Sequence, residues 1–156
     1  MGTKEAYARG VIAEKLIQSK LWKYGYSVQK ATVQNVIKRK KYTDSGLTIP
    51  YDFLVDNRIR LEVKSSKLYP AKKHAGRWEF QIDTNDADVF AFVFWYPDGY
   101  SVVRYITYKN LCSLLKKQGR KKNAENFSFK NPNDENLERS PYTVFGKVIH
   151  TRGIDL

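Results

Sequence analysis

Tyr51-Asp52-Phe53-Leu54-Val55-Asp56-Asn57-Arg58-Ile59-Arg60-Leu61-Glu62-Val63-Lys64 decides how the rest of the chain is read. Two apolar runs flank a polar break, which predicts a strand over 51–55, a turn, and a second strand over 59–65. In the second strand Ile59, Leu61 and Val63 point to one face, and Arg60, Glu62 and Lys64 to the other. Glu62 and Lys64 are thus neighbours on one face, roughly 6 to 7 Å apart along the strand. The turn fixes what faces them. A two-residue turn at Asp56-Asn57 pairs Phe53 with Arg60 and Asp52 with Leu61, mixing the faces. A three-residue loop, Asp56-Asn57-Arg58, pairs Val55 with Ile59, Phe53 with Leu61 and Asp52 with Glu62. Only the second keeps one face uniformly apolar, as register selection requires, and Asn57 suits the left-handed position in such a loop.

The predicted juxtaposition of Asp52 and Glu62 has a chemical consequence. Two carboxylates side by side repel, and an oxygen-preferring divalent cation is the natural compensator. With Lys64 nearby, the set suits phosphodiester hydrolysis. The cation polarises a phosphoryl oxygen and activates water, while the ammonium stabilises the developing charge. The bland alternative is an exposed hairpin face on which Asp52, Glu62 and Lys64 form ordinary cross-strand ion pairs.

Upstream, residues 3–24 predict a helix with Gly10, Glu14, Ile17 and Leu21 on one stripe, stopped by Gly25. Residues 26–33 predict a strand. Residues 34–50, with Lys38, Arg39, Lys40 and Lys41, read as a basic loop or insertion. Downstream, 68–77 reads as a basic connection and 78–82 as a half-exposed strand, with Glu79 and Gln81 on its polar side. Residues 89–96 are continuously apolar, the pattern of a central strand buried on both faces. Pro97-Asp98-Gly99 is a turn and 100–106 a returning strand. Thr107 caps a helix to about Gln118, with Leu111, Leu114 and Leu115 inward and Gly119 as its stop. Arg120, Lys121 and Lys122 open a basic, Asn-rich C-terminal extension, in which 142–154 reads as a further strand. The predicted class is α/β, a mixed central sheet flanked by helices, in one domain over residues 1–156.

Composition narrows the partners. The chain has 156 residues, with 28 Lys plus Arg against 16 Asp plus Glu, a net charge of +12. Self-repulsion makes that excess a cost to folding, and a polyanion offsets it through counterion release. Anionic membrane fits poorly, because no basic amphipathic helix carries a bulky apolar face. DNA is the expected partner. Lys38, Arg39, Lys40, Lys41, Ser65, Ser66, Lys67, Lys72, Lys73, Arg120, Lys121 and Lys122 are its candidate contacts, although such clusters are ordinarily solvated faces. Cys112 is a lone cysteine, so no intrachain disulfide forms and a reducing cytosol or nucleoid is the expected setting. The opening residues, Met1 to Arg9, do not read as a secretory leader. His74 and His150 are too few and too separated for a zinc or histidine-based centre.

Asp52, followed by Glu62-Val63-Lys64 and preceded by a helix bearing Glu14 in Gly10-Val11-Ile12-Ala13-Glu14, resembles the PD-(D/E)XK nuclease superfamily. Archaeal Holliday-junction resolvases and small homing endonucleases of this restriction-endonuclease-like fold look similar over residues 3 to 95 or so. One departure is Tyr51 before Asp52, with Pro50 a place earlier. The resemblance implies that Asp52 and Glu62 are metal ligands, Glu14 a further ligand or orienter, and Lys64 the residue beside the attacking water. The implied cofactor is Mg²⁺, with Mn²⁺ as substitute. Cutting both strands needs two centres, so a homodimer or higher homo-oligomer is expected. Three readings follow: a site-specific double-strand endonuclease of homing or restriction type, a structure-specific nuclease such as a junction resolvase, and a non-catalytic basic DNA-binding protein. The long segments at 34–50 and 120–156 favour the first, since their Asn and Arg side chains suit base-edge readout.

Overall fold

Helix α1 (Thr3–Lys23) ends where the sequence says it must. Gly25 takes a φ of 99°, Tyr26 N–H donates to the Leu21 carbonyl at 3.0 Å and Gly25 N–H to that of Trp22 at 2.9 Å. Those are the two bonds of a Schellman cap, which needs a residue without Cβ strain at the left-handed position. The protein is seen here as a computed structural model that describes residues 3–32, 41–43, 46–48, 51–70, 76–82, 87–117 and 125–146. Lys38, Arg39, Lys40, Lys72, Lys73, Arg120, Lys121 and Lys122 lie outside the described residues, as do the side chain of Lys41 and the expected helix stop at Gly119.

The chain then forms β1 (Val28–Lys30), β2 (Lys41–Thr43), β3 (Gly46–Thr48), β4 (Phe53–Val55), β5 (Ile59–Tyr69), β6 (Arg77–Ile82), β7 (Val89–Trp95) and β8 (Ser101–Thr107). Helix α2 (Tyr108–Lys117), β9 (Glu125–Phe129) and the short α3 (Tyr142–Phe145) follow. Strands β1, β4, β5, β6, β7, β8 and β9 make one sheet, and β2 pairs with β3 as a separate hairpin. The sheet is mixed: β5 runs parallel to β7, while β4 and β6 lie antiparallel to β5 and β8 antiparallel to β7. The predicted class is the observed one.

The deciding hairpin has the three-residue loop. Val55 pairs with Ile59 and Phe53 with Leu61. Asp56 and Asn57 both take positive φ, 51° and 57°, a conformation that Asn and Asp tolerate better than other non-glycine residues. Asp56 is further held by Ser27, whose N–H donates to its Oδ1 at 2.9 Å.

Two apolar clusters sandwich the sheet. Leu61 and Val63 of β5 and Val89, Ala91 and Val93 of β7 lie under Ala13, Ile17 and Leu21 of α1. The small Ala91 lets that helix lie close. On the other face Phe90, Phe92 and Phe94 meet Trp78, Phe80 and Phe129, with Leu111, Leu114 and Leu115 of α2. Six of the seven residues of β7 are buried, because apolar layers cover it on both sides. Thr107 caps α2, its Oγ1 accepting from Asn110 N–H at 3.3 Å.

Four sequence expectations are corrected. The strand predicted to stop at Ser65 runs to Tyr69, because Leu68 and Tyr69 pair with Trp78 and Arg77 of β6. The stretch read as an Asn-rich extension contains β9, which pairs antiparallel with β6, from Glu125 opposite Ile82 to Phe129 opposite Trp78, and buries Phe129 in the core. The segment read as a loop contains the β2–β3 hairpin. The tail read as a strand begins as the one-turn helix α3. Pro141 at φ −67° starts that turn, Ser140 Oγ accepts from Tyr142 N–H at 3.1 Å, and Gly146 at φ 85° ends it.

Candidate active site

Asp52 precedes β4 and is fixed by its backbone before its side chain does anything. Its N–H donates to the Leu61 carbonyl and its carbonyl accepts from Ala31 N–H, both at 2.9 Å. The residue is therefore clamped between β5 and the end of β1. Its side chain points along β5: Oδ2 accepts from Val63 N–H at 2.8 Å. The carboxyl is also hydrogen-bonded to that of Glu62. The Glu62 carboxyl therefore stands within hydrogen-bond reach of Asp52.

The electrostatics agree. Burial is the largest influence on Asp52 and pushes its carboxyl up from 3.8 to about 6. The negative charge of Glu14 adds to the rise, while the Val63 N–H, the Lys30 ammonium and the Glu62 hydrogen bond oppose it. A carboxyl raised this far marks a site where burial and like charge work against ionisation.

Glu62 and Lys64 are adjacent on the polar side of β5, as its alternation predicts. Lys64 Nζ lies 3.4 Å from Glu62 Oε2, and the two side chains are only 18% and 13% exposed. This is no loose surface pair. Both side chains share the sheet face of Leu54, Phe90 and Phe92, away from α1.

Glu14 is placed differently. It sits on α1, on the opposite side of the hairpin, and its Oε1 accepts from Lys30 Nζ at 2.5 Å. That ammonium also stands 5.3 Å from the centroid of the Phe53 ring. Burial would lower the lysine's pKa, but the hydrogen bond and charge of Glu14, then the charge of Asp52, raise it above its ordinary value. Glu14 and Lys30 line a hollow with Tyr7, Gln18 and Phe53. Asp52 feels both groups from the end of the hairpin. The sequence reading missed Lys30. The available signal was the β1–β4 pairing, which sets Lys30 opposite Phe53 and hence one residue from Asp52.

Three predicted DNA contacts at the end of β5 are described. Ser66 is corrected: it is 5% exposed, its hydroxyl donates to the Lys67 carbonyl at 2.7 Å and accepts from Glu79 N–H at 3.0 Å. It joins β5 to β6 and has no surface to offer a phosphate. Ser65 is half-buried. Lys67 is exposed, its ammonium 5.1 Å from the Tyr69 ring centroid.

The donor set can be tested for a cation. Among the described residues no group of three or more His, Cys, Asp and Glu side chains is gathered as a metal site. Glu14 is held by Lys30 rather than beside Glu62. Asp52 and Glu62 do fit a hard divalent ion. They are all-oxygen donors within reach of each other, and a cation held by them would offset the burial and the Glu14 charge that raise Asp52. Two carboxylates with retained waters is the way Mg²⁺ is commonly bound.

No protein-family model matches the chain, and no curated protein matches it in sequence. Among solved structures it is similar to a bacterial homing endonuclease, I-Ssp6803I, with 16% identity and a TM-score of 0.47 over 89% of this chain and 86% of that one.

Proposed function

We propose that the chain is a metal-dependent DNA endonuclease of the PD-(D/E)XK type, with Asp52, Glu62 and Lys64 at its reaction centre. The observation that carries this reading is the Asp52–Glu62 carboxyl pair on the polar face of β5, with Lys64 beside it, in a chain of net charge +12. A Mg²⁺ ion held by the pair would polarise a phosphoryl oxygen and make a water acidic enough to attack at neutral pH.

The chain's own groups do the rest. Val63 N–H holds the Asp52 carboxylate in one orientation, so no reorganisation is needed at the moment of reaction. Lys64 lies beside Glu62, a neighbour that favours the ammonium, so its role is that of a donor to the attacking water or to the developing phosphorane charge and not of a base. Glu14 acts through Lys30 and through the field it exerts on Asp52; it is a positioning group and a reserve ligand. The site-specific double-strand reading is preferred to junction resolution because the chain carries basic segments beyond the hairpin core. Two-strand cutting then calls for at least a dimer.

The test is relaxed-plasmid formation with Mg²⁺ for the wild type, Asp52→Asn, Glu62→Gln and Lys64→Ala, followed by a comparison of linear duplex with a four-way junction. Nicking by the wild type and its loss in all three variants, with DNA binding retained, supports the proposal. Nicking that survives Asp52→Asn sinks it. DNA binding by the wild type without metal-dependent cleavage returns the chain to the class of basic binding proteins.

A further inference from the structure

A second feature lies on the outer edge of β8, away from the carboxyl pair. Lys20, Tyr24, Tyr100, Arg104, Arg139 and Pro141 line one hollow there, between the end of α1, the strand and the segment leading to α3. Its charged lining is wholly cationic. Arg104 and Arg139 are brought together by one acceptor: Nη2 of each donates to Asn133 Oδ1, at 2.8 and 2.9 Å. Like charges held this close cost stability unless something anionic answers them. Among the described residues neither guanidinium, nor Lys20, has a carboxylate partner.

Arg104 is also positioned in advance. Its Nε donates to the Pro132 carbonyl at 3.0 Å and its Nη1 to the Val103 carbonyl at 2.8 Å. With the Asn133 bond these occupy three of the five N–H donors of a guanidinium. The group is fixed in place with donors to spare, the condition for oxyanion recognition at low entropic cost. Burial, then the Arg139 charge, lowers its pKa. Exposed tyrosines flank the cations: Tyr100 is 63%, Tyr24 39% and Tyr142 37% exposed. The α1 C-terminus disfavours an anion by a fraction of a charge, which three cations outweigh.

We propose that this hollow is a phosphate-binding site, separate from Asp52 and Glu62, which takes a backbone phosphodiester of a nucleic-acid strand. Arg104 stands level with Lys64 in the sheet, with Phe92 between them. Two strand spacings separate them, about 10 Å. One phosphate cannot reach both sites, whereas a polymer of phosphates can, and aromatic side chains beside the cations suit a nucleic acid better than a free ion. The proposal rests on nucleic acid being the partner, as above, but not on cleavage.

The experiment uses the full chain with Lys20→Ala/Arg139→Ala, both positions exposed, and Arg139→Lys, which keeps the charge and loses the planar fork. Binding of a labelled duplex and of a single strand is measured from 50 to 300 mM KCl, alongside melting curves. Each lost phosphate contact should lower the slope of log affinity against log salt by about 0.9, which weakens binding about eightfold at 0.1 M salt. The double variant should therefore bind about eightfold more weakly or worse, with Arg139→Lys intermediate and the melting temperature unchanged. Wild-type affinity and slope in the double variant overturns the proposal. So does a loss of affinity accompanied by a fall in melting temperature and a loss of cleavage, which would mean a damaged fold. If inorganic phosphate at constant ionic strength perturbs the Arg139 side-chain resonances while oligonucleotide binding keeps its slope, the hollow takes a free phosphate ester and the strand assignment falls. Loss of cleavage by Asp52→Asn with an intact salt slope counts against neither arm, so the two proposals fail separately.

Discussion

Asp52→Asn is expected to abolish cleavage and at the same time to make the metal-free protein more stable at neutral pH. The magnitude follows from the carboxyl's surroundings. Raising its pKa from 3.8 to about 6 costs the folded anion about 3 kcal/mol at pH 7, an upper figure because solvent reaches part of the group. The sign is that of a raised carboxyl. The folded state holds the proton more tightly than the unfolded chain, so this group favours folding below 3.8 and that contribution is lost as pH rises through about 6. Asparagine carries no charge, keeps an oxygen for Val63 N–H, and offers an amide to Glu62. In a domain of this size about 3 kcal/mol corresponds to a melting temperature higher by at most 6 to 12 °C. The assay is urea denaturation of both proteins in EDTA from pH 3.5 to 8. The variant's advantage should be present at pH 7 and vanish near pH 4. Mg²⁺ should then raise the melting temperature of the wild type and leave that of the variant unchanged. A variant no more stable than wild type at pH 7, or equally favoured at every pH, would refute the reasoning about Asp52.

Four further outcomes are expected. Lys64→Ala should cut single-turnover cleavage by about 10² or more with DNA affinity little changed, and Lys64→Arg should not restore it, because a planar guanidinium cannot take the place of the ammonium beside Glu62. Lys30→Ala should move the Asp52 titration upward, visible by carboxyl-carbon NMR, because the lysine's charge lowers that pKa; its effect on stability should be about 0 to 1 kcal/mol, as for an exposed pair. Ser66→Ala should cost about 1 to 3 kcal/mol in urea unfolding, by leaving Glu79 N–H without its acceptor, and should not change the salt dependence of DNA binding. Asp88→Ala should destabilise by about 1 to 2 kcal/mol, because it strips Arg60 of two side-chain hydrogen bonds, at 3.0 and 2.6 Å, and of one from its backbone N–H at 2.8 Å, while solvent reaches the half-exposed carboxylate.

What the sequence revealed was what local rules determine. The hairpin register could be read because strand alternation has period two and only one loop length kept Phe53, Val55, Ile59, Leu61 and Val63 on a common face. That register alone brought Asp52 to Glu62 and Glu62 to Lys64. The central strand was legible for a similar reason, since an apolar run such as Val89 to Trp95 has nowhere to go but between two layers. Whatever depended on distant pairing was not legible. Ser66 looked like an exposed strand end because β6, which covers it, comes from another segment. Lys30 looked like one more surface lysine because its importance comes from the β1–β4 ladder and from α1 lying across it. Glu14 was placed on the inward stripe, but which neighbour it would meet depended on that same ladder. The Arg104–Arg139 pair is assembled through Asn133 from segments tens of residues apart, and no spacing rule announces it.

The carboxyl pair and the arginine pair pose the same physical problem with opposite signs. Each holds like charges together where the described residues leave the repulsion only partly answered, and each is fixed by hydrogen bonds that do not neutralise it: Val63 N–H for Asp52, and the Pro132 and Val103 carbonyls for Arg104. A chain selected for stability alone would carry an amide in place of Asp52 and a neutral side chain in place of Arg104. A proton can relieve the carboxyl pair, but only at or below about pH 6, where Asp52 titrates. Above that a cation would answer the carboxyl pair, as an anion would answer the arginine pair. Under the two proposals above, a nucleic-acid strand bound together with a divalent ion would supply both, so each ligand would remove a cost that the free protein carries.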